Sequence, residues 1–124
     1  MKKFTKEDAM KGYRTKEEIN NTIEQLAGEY GFKFVNDKWS SREGIGEIRA
    51  DNLNVFTMVD SKLHIYEDFA QVTAKVTFRA SISRMAGEPT PDELIAVADE
   101  IHRCAELVAD LNIRDLEFVE VFDK

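Results

Sequence analysis

The chain has a single cysteine, Cys104, only two prolines, and no long apolar run. One cysteine excludes an intrachain disulfide. The basic opening Met1-Lys2-Lys3 has no apolar stretch behind it, so no signal peptide is expected there. No window approaches the apolar length of a membrane span, and a cytoplasmic protein is expected. Bases are also scarce: 17 Lys and Arg against 24 Asp and Glu give a net charge of -7. Binding to phosphate depends on Lys and Arg releasing condensed counterions, and no basic run follows Lys2-Lys3. Neither direct nucleic-acid binding nor an anionic membrane surface is expected. A basic protein partner fits the charge.

Sequence signatures of chemistry are missing too. The soft metal ligands are His64, His102 and Cys104. His102 and Cys104 are two apart on a helix and point in different directions, and no HxxxH, HExxH or CxxC spacing occurs. No metal or cofactor is expected. Gly44-Ile45-Gly46 lacks the third glycine of a dinucleotide loop and the Lys-Ser/Thr of a phosphate loop, and reads as a turn or bulge. No serine sits in a GxSxG elbow. Cys104 falls on an apolar helical stripe, where a thiol behaves as a small hydrophobe. Asp51, Glu67 and Asp68 are isolated acids at strand ends, a usual place for solvated carboxylates. No catalytic residue is assigned, and an enzyme is the less favoured reading.

What is present is architecture. At 124 residues the chain is long enough for one core, and residues 1–124 read as one α+β domain. Thr5 with Asp8 and Thr15 with Glu18 have capping-box spacing. They predict a short helix from about Lys6 to Gly12 and a longer one over about 15–30. Ile19, Ile23, Leu26 and Tyr30 form the stripe of the longer helix, and Gly31 ends it. Thr90, Pro91 and Glu93 mark the start of the clearest helix, 91–111. Its expected buried stripe is Leu94, Val97, Ala98, Ile101, Cys104, Ala105, Val108 and Leu111, with Asn112 as a terminal cap.

Strands are expected at Lys33 to Asn36, Glu47 to Ala50, "LNVFTMV", "KLHIYE", Val72 to Ile82 and "DLEFVEVF". Val72 to Ile82 alternates apolar and polar without a break, which requires one dry face and one polar face. A two-residue turn at Asp60-Ser61 would set Met58 opposite Leu63 and Phe56 opposite Ile65 on one dry side. Together these elements predict a two-layer sandwich: a mainly antiparallel sheet with both main helices on one face.

Two surfaces could then carry function. Asp92, Glu93, Asp99, Glu100, Glu106 and Asp110 would form an acidic strip on the last helix, suited to a basic protein partner, although charge runs are usually solvated faces. The reverse sheet face would gather His64, Tyr66, Lys75 and Arg79, with Thr73 and Thr77, as a homo-oligomer interface or a ligand site. Trp39 and Arg42, in a glycine-bounded loop, are candidate anchors for a partner. The expected function is a non-enzymatic interaction module, homo-oligomeric, that regulates or inhibits another protein. An inhibitor of a basic nucleic-acid-handling protein, encoded by a phage or mobile element, is one concrete form. The alternative is a small-ligand-binding protein or small enzyme using His64 as proton carrier and Lys75 or Arg79 as anion holder.

Overall fold

The structure, a computed structural model, describes residues 3–36, 45–82 and 87–124. Helix α1 spans Lys6–Met10, α2 Lys16–Glu29 and α3 Pro91–Ile113. Strands β1 (Lys33–Val35), β2 (Glu47–Arg49), β3 (Leu53–Ile65), β4 (Phe69–Ile82) and β5 (Glu117–Asp123) form one antiparallel sheet in the order β1-β2-β3-β4-β5. The fold is α+β, with a curled sheet. No described helix is long and apolar enough to cross a membrane.

Local chemistry starts and stops the helices where the spacing predicts. Thr5 Oγ1 accepts from the Asp8 N–H, and the Asp8 carboxylate accepts from the Thr5 N–H. Thr15 and Glu18 make the same reciprocal pair. Thr90 Oγ1 accepts from the Glu93 N–H at 3.2 Å, with Pro91 in the first turn, where its missing N–H costs nothing. At the end of α2 the Phe32 N–H reaches the Ala27 carbonyl at 2.8 Å, and Gly31 adopts φ +81. A Cβ at Gly31 would meet Arg103 Nη1 at 2.6 Å, because that guanidinium donates to the Tyr30 carbonyl at 2.7 Å and ties α3 to α2. At Gly46 a Cβ would lie 2.0 Å from the Val35 carbonyl oxygen, so the approach to β1 requires glycine.

Helices α2 and α3 share one face of the sheet. Ile19, Ile23, Leu26, Leu107 and Leu111 pack there on Leu53, Val55, Val76, Phe78 and Phe118. Each fully buried aliphatic side chain contributes roughly 1.5–3 kcal/mol by leaving water.

Four sequence expectations are corrected. Asp60 and Ser61 are not a turn: β3 runs through them, and the β3–β4 ladder is unbroken from Leu53 opposite Ile82 to Ile65 opposite Ala70. The turn is Glu67-Asp68, closed by the Tyr66 N–H on the Phe69 carbonyl at 2.9 Å. Phe56 and Met58 consequently sit on the reverse face from Leu63 and Ile65, because residues of opposite parity project to opposite sides.

The apolar stripe of α3 is in fact two stripes. Cys104, Leu107 and Leu111 are buried with Glu100, whereas Leu94, Ala98, Ile101 and Ala105 remain exposed. Asn112 is not a cap. It lies inside α3, and its side chain exchanges hydrogen bonds with both the N–H and the C=O of Phe78. The reverse face is also not wholly open. Around the β3–β4 turn it is covered by Phe4 and α1, where Gln71 Nε2 donates to the Ala9 carbonyl at 2.6 Å.

Candidate functional site

The strand register puts His64, Tyr66, Lys75 and Arg79 on the reverse face, but they do not form one site. Tyr66 stacks on Phe69 and meets Phe4 at a tilt, with ring centroids 4.7 and 4.9 Å away, and its hydroxyl donates to Gln71 Oε1. It is a packing residue. Arg79 stands opposite Phe56, four residues along β4 from Lys75, or about 13 Å at the usual strand rise. His64 and Lys75 share a groove, lined also by Tyr13, Asp60, Lys62, Thr73 and Glu117 and measuring about 340 Å³. Lys75 Nζ lies 3.0 Å from Asp115, and that hydrogen bond, reinforced by the Asp115 charge, raises the ammonium pKa. Acids and bases alternate around the groove, so it presents no concentrated field to an anion.

The acidic residues of α3 do not form one strip either. Glu100 is a correction: it points inward, where its carboxylate accepts from the backbone N–H and the side-chain amide of Asn52, both at 2.9 Å. Those bonds hold α3 against the β2–β3 turn and repay the desolvation of the charge. The Glu93 carboxylate accepts from the hydroxyl of Thr90, the residue that caps α3. Asp92, Asp99 and Glu106 recur every seven residues on one side, with Asp110 beside them. Asp99 pairs with Arg103 and Asp110 with Arg114, while Glu106 lies 2.8 Å from the His102 imidazole, which adds a charge only when protonated. Self-pairing leaves a weaker acidic field than the sequence implies. Trp39 and Arg42 lie outside the described residues.

Cys104 is buried, and burial pushes its thiol pKa up, with a smaller contribution from the Glu100 charge. It is held in the thiol form and is a poor nucleophile. Of the isolated acids, Asp68 pairs with Lys3, while Asp51 and Glu67 are exposed in turns. Among the described residues no three His, Cys, Asp or Glu side chains gather as a metal site.

Sequence reasoning missed two apolar surfaces. The first is on the helix-bearing face near the β3–β4 turn, beyond the reach of α2. Leu63 stands opposite Val72, and Ala70 lies between Ile65 and Phe122. Leu63 and Ile65 are 60% and 65% exposed, and Phe122 is half exposed. The register makes these neighbours one continuous patch. It is legible only once the turn is placed at Glu67-Asp68. The second is the exposed stripe of α3, whose signal was present as alternating steps of four and three through Leu94, Ala98, Ile101, Ala105 and Val108. Comparison with protein families, with curated proteins and with solved structures finds no match to this chain.

Proposed function

We propose that the chain is a non-enzymatic protein-interaction module, homo-oligomeric and cytoplasmic, that regulates or inhibits another protein by binding it. The observation that carries this reading is the patch of Leu63, Ile65, Ala70, Val72 and Phe122. Contiguous exposed apolar surface of this kind marks contact sites in soluble proteins. Asp92, Asp99 and Glu106, on the outer side of α3, favour a basic partner through steering. An inhibitor of a nucleic-acid-handling protein, encoded by a phage or mobile element, is compatible with that charge.

The test is capture from a native lysate of the source cells by the immobilised chain. Leu63→Lys with Ile65→Lys should abolish capture while leaving the melting temperature within a few degrees, since both side chains already face water. Unchanged capture would reject the patch.

A second reading rests on the groove beside His64 and Lys75, whose volume of about 340 Å³ falls in the range of small-ligand sites. Thermal stabilisation by a metabolite, lost in both His64→Ala and Lys75→Ala, would favour it over the first.

A further inference from the structure

The exposed stripe of α3 has an unusual composition for an acidic chain. Leu94, Ala98, Ile101, Ala105, Val108 and Asn112 follow steps of four, three, four, three and four, so they line one side of the helix. None is charged. The carboxylates Asp92, Asp99 and Glu106 lie on a different side, more than a quarter-turn away at 3.6 residues per turn. Leu94 is 52% exposed and Ile101 41%.

The same side of the molecule holds an unfinished sheet edge. Strand β5 pairs with β4 only as far as Lys75 opposite Glu117. Beyond that, the Val76 N–H reaches the Leu116 carbonyl, and Asn112 serves both backbone groups of Phe78. By the alternation of a strand, Ala80 and Ile82 aim their N–H and C=O groups the same way. No partner meets them among the described residues. Their side chains lie on the helix-bearing face and are exposed.

Two anchors locate the stripe against this edge. Asn112 sits at Phe78, and Glu100 sits at Asn52, next to the Leu53–Ile82 pair. The middle of the stripe, Ile101 to Ala105, is therefore level with Ser81. A two-fold axis through Ser81 and perpendicular to the sheet would bring both features together. Ala80 would exchange hydrogen bonds with Ile82 of a second copy, and the reverse, with Ser81 opposite Ser81. The two α3 helices would run antiparallel on the same face, Ile101 against Ala105, Ala98 against Val108 and Leu94 against Asn112. Large side chains thus meet small or short ones. Because α3 packs on both β3 and β4, two sheet spacings would separate the helices, about 10 Å, a distance at which helices pack.

We propose that the chain forms an isologous dimer with this geometry, a continuous ten-strand sheet carrying a paired α3 seam. A foreign strand would satisfy the edge and leave the stripe wet, and a foreign helix would do the opposite. A second copy supplies both at once, and none of the stripe residues or of Ala80, Ser81 and Ile82 is charged. This rests on reading the chain as an interaction module and identifies one of its partners as itself.

Sedimentation at about 100 μM, far above the Kd of an ordinary stable interface, should show a dimer. Ile101→Glu with Ala105→Glu should shift it to monomer. Ser81→Cys tests the register without relying on that variant. Opposed residues at a non-hydrogen-bonded antiparallel position have Cα atoms about 4.5 Å apart, within disulfide reach, so mild oxidation should link two chains. The wild type, whose Cys104 is buried, should stay unlinked. A monomeric wild type would overturn the proposal. So would a dimer that survives Ile101→Glu with Ala105→Glu, or a dimer whose Ser81→Cys form does not link. If the chain is monomeric yet captures a partner through Leu63 and Ile65, the dimer falls, and with it the homo-oligomeric part of the proposed function, while binding of another protein stands. If it dimerises but captures nothing, the reverse holds.

Discussion

The two halves of β4 bury opposite faces. From Ala74 to Phe78 the dry side chains are Ala74, Val76 and Phe78, under α2 and α3. Near the β3–β4 turn they are Phe69 and Gln71, under Phe4 and α1 on the other side of the sheet. The change falls at Val72 and Thr73, both half-buried. Strict alternation from Val72 to Ile82 tells which residues share a face. It does not tell how far along the strand that face stays covered. Val72 and Ile82 belong to the helix-bearing face, yet Ile82 is 62% exposed, because α3 does not cover the open edge.

The comparison can be broken most decisively in the covered half. Phe78→Ala should cost ~3–5 kcal/mol of stability in urea unfolding, since it empties a buried site in the core where β4 packs under α3. A cost under about 1 kcal/mol would mean that half is loosely packed.

Near the turn the cover depends on few contacts, so the effect should be smaller. Gln71→Ala leaves the Ala9 carbonyl without its donor and should cost about 1–2 kcal/mol. Hydrogen exchange should show the loss concentrated in α1 and the strand residues beneath it. Protection lost evenly across the sheet would show that α1 is part of one cooperative core.

The smallest effect sharpens how dry the α3 side is. The Cys104 thiol has its pKa raised by burial, so the folded state holds the proton more tightly than the unfolded chain does. Its contribution is full below the unfolded thiol pKa and is lost as pH rises through the higher folded value. Stability should therefore fall with pH in the alkaline range, and Cys104→Ala should remove that component of the slope. Identical slopes in the two proteins would show that the thiol is not desolvated.

Much of the fold was readable from local chemistry. Thr5, Thr15 and Thr90 announce helix starts, because a capping oxygen and its amide are three residues apart. Gly31 announces a helix end for a similar reason. The turn at Glu67-Asp68 was missed because Asp60-Ser61 offered a plausible pair within an equally regular alternation. Only pairing with β4 tells a strand interior from a turn there. On α3, periodicity merged two stripes. Ile101 and Leu107 are alike in hydrophobicity, and only the position of the sheet makes one wet and the other dry. Glu100 looked like its acidic neighbours, and its role depends on Asn52, far away in sequence.

The sequence by itself determined where helices begin and which residues share a strand face. These properties reside in a few consecutive residues and their hydrogen bonds. The tertiary structure alone decided where the long hairpin turns, which side of each half-strand is dry, and which stripe of α3 is left for a partner. Those depend on which surfaces meet across the chain, and burial is a property of both.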